Sequence, residues 1–250
     1  MLQGKIILLS GFLLSIFSVI HFSFPNKKND FVFYKNQTQN HAPVVKIVSP
    51  KTNVDYRENA QIAYKINVSD KEDGESKYQE INPKEVLLEI EYVKDTSDAL
   101  LRIHEGGGKD APGLALIKSS NCLNCHSFKS KLIGPSFFDI TQRYHQFAKV
   151  EDTLVNHVLN GSKGRWGNVQ MPSNSKLNRA EAQEVVDWIF KNANNPSVNY
   201  LVGTEGTFRL TPPGASAKNV ILIATYTDHG TKDNPALQLK GQDIAIIQIN

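Results

Sequence analysis

Cys122-Leu123-Asn124-Cys125-His126 is the most informative stretch of the chain, and its two thiols are the only cysteines in 250 residues. A thioredoxin-like dithiol needs a βαβ setting, and the segments around this one do not alternate strand with helix. A structural zinc site needs about four ligands, and there is no second cysteine pair. A disulfide between cysteines three apart closes too small a loop to restrain the unfolded chain much. Thioether attachment suits the spacing better. The two thiols are placed to add across the two vinyl groups of one haem, and the histidine that follows at once is placed to ligate the iron from one face. Cys122, Cys125 and His126 are therefore the first candidate site residues.

Outward from the motif the pattern is helical. Gly106-Gly107-Gly108 and Pro112-Gly113 mark a boundary, after which Leu114, Leu116 and Ile117 open a short helix. Phe137, Phe138, Ile140 and Tyr144 space out a second, and Val150, Leu154, Val155 and Val158 a third that closes at Asn160-Gly161. Asn178 caps a fourth, with Glu181 three residues on as its capping-box partner; Val185, Val186, Trp188 and Ile189 supply the apolar face. Trp188 shares that face and reads as core.

Taken together, residues of about 112–195 resemble a small bacterial class I cytochrome c of the c551/c552 group. The resemblance rests on the attachment motif, Gly134-Pro135, the Phe137…Tyr144 helix, Gly161…Gly164-Arg165-Trp166-Gly167, Met171-Pro172-Ser173-Asn174 and the terminal helix with Trp188, in that order. It covers about a third of the chain. It implies one covalent haem c per chain and one-electron transfer rather than catalysis. It also implies that His126 and Met171, 45 residues apart, are the two axial ligands. The Pro135 carbonyl would orient the imidazole, Asn174 would hydrogen-bond the methionine sulfur, and Trp166, helped by Arg165, would reach a haem propionate. Met171 is the sole methionine after Met1 and lies in a polar Gly/Asn/Gln/Pro loop, a poor place for the usual gap-filling role. His145 and His157 are the competing distal ligands.

On both sides of the helical unit the pattern is β. Val44–Val48, Ile62–Val68 and Val86–Val93 are short apolar or alternating runs separated by polar turns, as in an antiparallel sandwich of immunoglobulin-like type. After Asn194-Asn195-Pro196, the runs Gly206–Leu210, Val220–Tyr226 and Ile244–Ile249 are strands again. The expected fold is thus multidomain: a β-sandwich module over 43–105, an all-α cytochrome c domain over 110–195 and a small antiparallel β module over 198–250. The last is short for an independent domain, so it either stands alone or packs on the first β segment with the helical unit as an insertion. Ser69-Asp70-Lys71-Glu72-Asp73-Gly74-Glu75 clusters carboxylates, which calcium prefers as a hard cation. The spacing does not fit an EF-hand loop, and acidic turns are ordinarily solvated.

The β segments also resemble, more weakly, those that flank cytochrome domains in large secreted bacterial proteins carrying quinoprotein-type sugar dehydrogenase modules. This implies a redox partner, either such a dehydrogenase or a terminal acceptor. Residues 1–25 hold one lysine, an apolar run from Ile6 to Phe24 and a polar exit, the pattern of a signal peptide. The run approaches the roughly 20 residues that span a bilayer, so residues 6–24 serve either as a cleaved signal or as an anchor. Either way the expected location is periplasmic or extracytoplasmic. Residues 26–42 read as a polar linker.

With 28 basic and 25 acidic side chains the formal net charge is +3, too slight to imply nucleic acid. A composition 40% hydrophobic and 21% charged excludes a disordered tail or a polytopic membrane protein. Lys118, Lys129 and Lys131 are candidates for steering an acidic partner. Two other functions compete: a haem enzyme or gas sensor with a displaceable distal ligand, and a carbohydrate-binding β protein using Tyr92, Tyr200, Phe208 and Tyr226.

Overall fold

The computed structural model describes residues 39–97, 110–147 and 150–250. The expected signal or anchor and the Gly106–Gly108 boundary lie outside the described residues. Before the helical unit come β1 (Val44–Ser49), β2 (Val54–Tyr56), β3 (Gln61–Asp70), β4 (Gly74–Glu75) and β5 (Leu87–Val93). The helical unit contains α1 (Pro112–Ser119), α2 (Phe137–Tyr144), α3 (Val150–Asn160) and α4 (Arg179–Asn192). β6 (Val198–Val202), β7 (Glu205–Arg209), β8 (Asn219–Thr227) and β9 (Lys240–Ile249) follow. Helical cytochrome-like segment between two β segments is the expected order.

Strand pairing resolves what the sequence leaves open about the C-terminal β segment. β3 pairs antiparallel with β1 on one side and with β7 on the other, Ile62 opposite Phe208 and Ile66 opposite Ile47. In the second sheet the order is β2-β9-β8-β5-β6, with β5 between β6 and β8. Each sheet therefore mixes strands from both ends of the chain. A segment of some 50 residues buries too little surface to stand alone; here its inward residues join one core with those of the first segment. Val45, Ile66, Val68, Leu88, Ile90, Phe208, Leu222, Tyr226 and Ile247 all belong to that core. The C-terminal residues are thus half of a common sandwich and not a separate module, and the helical unit is an insertion between β5 and β6.

Burial follows the pleat. In β3 the residues alternate without a break, Ile62, Tyr64, Ile66, Val68 and Asp70 inward and the others toward solvent. β8 is buried on both faces along Val220–Tyr226, because Ile221 and Ile223 pack with Val93, Ile244 and Ile246 on the outer side. The outer face of β5 and β6 is covered by the helical unit: Leu87, Tyr200 and Val202 join the cluster of Leu114, Ile117, Phe128, Val185 and Trp188. Phe128, Trp188 and Tyr200 form an aromatic junction, with ring centroids 4.8–6.0 Å apart. The strands over Val54–Tyr56 and Val198–Val202 were not legible from pattern, the first being short and the second half-buried throughout.

An ion cluster fastens the two parts as well. Asp110 receives Lys118 of α1 at 2.8 Å and Lys240 of β9 at 2.9 Å, all nearly buried. Lys118 is therefore engaged inside the protein and is not a steering lysine. Burial alone would raise the Asp110 carboxyl, but the two ammonium groups outweigh it and hold the pKa below the ordinary carboxylate range. Asp110→Ala should remove the carboxylate that the two ammonium groups share and cost about 3 kcal/mol, the range for breaking a buried pair. Because the folded pKa is depressed, the interaction contributes fully above the unfolded carboxyl value of about 3.9. It is lost as pH falls through the folded value. Urea denaturation of the two proteins should therefore show a gap at neutral pH that closes in acid.

Candidate haem site

The motif sits on a short 3-10 turn, Cys122–Asn124, just after α1. Asn121 before it is in the left-handed region, φ 60°, which asparagine tolerates better than most residues. Both thiols are free and partly buried. Burial pushes the Cys122 thiol up to about 11, so it stays protonated at neutral pH.

His126 is 8% exposed. Its Nδ1–H donates to the Pro135 carbonyl at 2.7 Å, and its ring lies nearly parallel to that of Phe137, centroids 5.6 Å apart. Burial lowers the imidazole pKa, and the Pro135 bond opposes it only in part. A neutral imidazole with Nδ1 protonated has its lone pair on Nε2. Gly134 makes the approach possible: a Cβ there would lie 2.6 Å from His126 Cε1. The backbone N–H groups of Ile133 and Gly134 both donate to the Cys125 carbonyl, folding Gly134-Pro135 back over the motif. Ser136 then caps α2, its hydroxyl accepting from the Asp139 N–H at 3.0 Å.

The methionine segment is held from the other end of the unit. Gly161 ends α3 at φ +79°, where a Cβ would meet the Met171 carbonyl at 2.6 Å. Ser162 and Met171 exchange both backbone hydrogen bonds, at 3.0 and 2.8 Å. The Asn174 N–H donates to the Val158 carbonyl at 2.9 Å, and its side-chain amide donates to the Ser120 carbonyl at 3.1 Å. That bond ties the methionine segment to the residue two before Cys122. It is a different use of the Asn174 amide from the methionine sulfur that the resemblance implies. α4 starts as expected, with Asn178 and Glu181 forming a reciprocal capping box.

Cys122, Cys125, His126, Pro135, Arg165, Trp166, Met171 and Asn174 all line one cavity of about 400 Å³. The remaining wall is largely apolar, from Phe137, Ile140 and Tyr144 on α2, Leu154 and Val158 on α3, and Val185 and Ile189 on α4. Of the competing ligands, His157 lines this cavity. His145 is exposed, its Nδ1 donating to the Gln142 carbonyl at 2.7 Å. Trp166 is 39% exposed at the margin, and the Arg143 guanidinium lies 4.5 Å over its ring. Arg143 also donates to the Arg165 carbonyl at 2.6 Å. Sequence reading missed Arg143, because its contacts with Trp166 and Arg165 are tertiary and leave no spacing signal in the sequence.

Two thiols, one imidazole with a free lone pair and an apolar cleft make a donor set that fits a c-type haem. Residues 108–189 match the family model described as cytochrome c oxidase, cbb3-type, subunit III. A 77-residue stretch is 39% identical to cytochrome c-551 of Azotobacter vinelandii, covering 31% of this chain and 93% of that protein. The chain belongs to the class I c-type cytochromes of the c551/c552 kind. Cytochrome c-552 of Nitrosomonas europaea is 35% identical over 74 residues, 30% of this chain and 72% of that one. Its crystal structure aligns with 31% of this chain and 96% of its own at 33% identity, TM-score 0.31. The family match occupies the inserted unit of this cytochrome and leaves the sandwich outside it.

Gly134→Ala should drive a methyl group against the imidazole, which cannot tilt without losing Pro135. The yield of haem-loaded protein, measured as pyridine haemochrome per polypeptide, should fall several-fold. Gly164→Ala, which adds a methyl group in open space at a backbone cost of about 1–2 kcal/mol, should keep its haem.

Proposed function

We propose that this cytochrome is an exported one-electron carrier with a single haem c bound through Cys122 and Cys125 and ligated by His126 and Met171. The convergence of both thiols, His126 and the only methionine past residue 1 on one cavity carries this reading. Haem c supplies a reversible one-electron iron couple. The protein's own residues do the rest. Pro135 holds the imidazole in one tautomer and one plane, and the hydrogen bond makes Nε2 a better donor. Gly161, Ser162 and Asn174 fix the methionine segment, so that neither ligand has to move when charge changes. Apolar side chains from three helices exclude water from the cleft, while Trp166 and Arg143 form part of its exposed margin.

His126 and Met171 together would hold the haem iron from the protein and leave no position for a substrate, which argues for a carrier rather than an enzyme. The carbohydrate-binding alternative loses its surface: Tyr92, Phe208 and Tyr226 are buried in the sandwich, and Tyr200 packs on Phe128 and Trp188. Export is supported by the apolar N-terminal run; no helix among the described residues is long and apolar enough to cross a membrane. The partner we favour is a dehydrogenase of the quinoprotein type or a terminal acceptor, approached through the exposed margin, where Arg165 and Lys176 line the cavity.

Ligation by Met171 is tested spectroscopically. The oxidised protein should show the weak near-infrared sulfur-to-iron band at neutral pH, and the reduced protein should resist carbon monoxide. Met171→Ala should abolish the band, admit carbon monoxide and lower the potential, within the roughly 0.8 V that axial ligands command. Cys122→Ser with Cys125→Ser should give a chain from which acidified acetone extracts any haem. Ready uptake of carbon monoxide by the unmutated reduced protein would overturn the carrier reading.

A further inference from the structure

The loop between Ser162 and Met171 forms one wall of the cavity but has few ties of its own. Ser162 and Met171 close its base with two backbone hydrogen bonds. The residues between them, 163–170, are all exposed and belong to no helix or strand. A Cβ on Gly164 or Gly167 would meet nothing within 4 Å. Yet Gly164, Arg165, Trp166, Val169 and Gln170 line the cavity beside Met171. An exposed stretch with so little packing has low local stability unless something fastens it. Among the described residues a single hydrogen bond does so: the Arg143 Nη1–H donates to the Arg165 carbonyl at 2.6 Å.

Arg143 makes that bond from the last turn of α2, and its guanidinium also lies 4.5 Å over the Trp166 ring. Tyr144, the next residue, is buried and meets the Trp166 ring edge-on, with centroids 6.3 Å apart. The end of α2 thus grips two consecutive loop residues, one by its carbonyl and one by its indole. Arginine suits both contacts at once, because a planar guanidinium stacks on an aromatic face while its edge donates in the plane. A cation in the last turn of a helix also favours the helix dipole, so charge alone is the competing role for Arg143. That role requires neither an aromatic face nor a carbonyl 22 residues further along the chain.

We propose that Arg143 is the positioning residue that holds the Trp166 loop shut over the cleft and so guards its methionine side. It acts through Arg165 and Trp166. When the clamp is lost, the Ser162–Met171 base remains, but residues 163–170 open and admit water and small ligands next to Met171. The ligand-exchange part of the test rests on the reading of Met171 as the second axial ligand; the proteolysis part does not.

The haem-loaded full chain is compared with Arg143→Gln, Arg143→Lys and Lys163→Gln. Trypsin cuts after Arg165 when the loop opens, and the rate of that cut follows the open population. It should rise roughly tenfold in Arg143→Gln, which loses one charged hydrogen bond and one exposed cation–π contact. Arg143→Lys keeps the charge at the helix end but loses the planar fork, so it should recover little. Lys163→Gln removes an equal charge from the loop and should leave the rate unchanged. Imidazole binding to the oxidised protein should speed up by similar factors in the two Arg143 variants. In a Trp166→Leu background, Arg143→Gln should have a smaller effect, because the two residues act as one unit. Unchanged cleavage in Arg143→Gln would overturn the proposal. So would full recovery in Arg143→Lys or an equal rise in Lys163→Gln, since either would mean that only charge matters. A near-infrared band missing from the unmutated protein would strike the Met171 reading instead, while the cut after Arg165 would still decide the clamp.

Discussion

A neutral imidazole offers its lone pair at one nitrogen only, and in His126 the Pro135 carbonyl makes the choice. By accepting the Nδ1 proton at 2.7 Å it turns Nε2 into the open donor and prevents the ring from rotating. Much of the local structure serves that bond. Gly134 must lack a side chain, the Cys125 carbonyl must hold the turn that carries Pro135, and Phe137 must begin a helix beside the ring. Burial works in the same direction, since an imidazole that protonates readily would lose the lone pair that a metal needs.

The two halves of the cleft come from distant stretches of sequence, and their meeting is secured by few polar contacts. Asn174 reaches the Ser120 carbonyl, α4 packs on α1, and the junction of Phe128, Trp188 and Tyr200 seats the unit on the sheet. Tyr200 is therefore both a strand residue and part of the helical core. Asp110 performs the corresponding task electrostatically, with one lysine from each part. Neither domain's surface at this junction is that of an isolated protein.

The elements with strong local signals were legible in the sequence. Helices with apolar spacing and a capping pair, and strands with strict alternation such as β3, lie where the pattern puts them. The candidate site was legible as a set of residues, because Cys122, Cys125, His126 and Met171 stand out in the sequence, and all four line one cavity. What escaped was non-local. Nothing in Val198–Val202 says that its half-buried face meets Leu87 and Phe128, and no spacing places Arg143 over Trp166. Lys118 looks like any surface lysine until Asp110 and Lys240 surround it. Asp70 looked solvated because its neighbours in sequence are polar, whereas its burial is decided by strand parity.

β5 and β6 are hydrogen-bonded neighbours, with Glu91 opposite Val198, so the inserted unit leaves and rejoins the sheet at points about 5 Å apart. In topological terms the whole cytochrome occupies the place of a hairpin turn. A tether with two closely spaced ends does not let its load swivel as a single flexible linker would. The redox centre thus has a fixed bearing relative to the sandwich, and whatever grips the sandwich also aims the haem cleft.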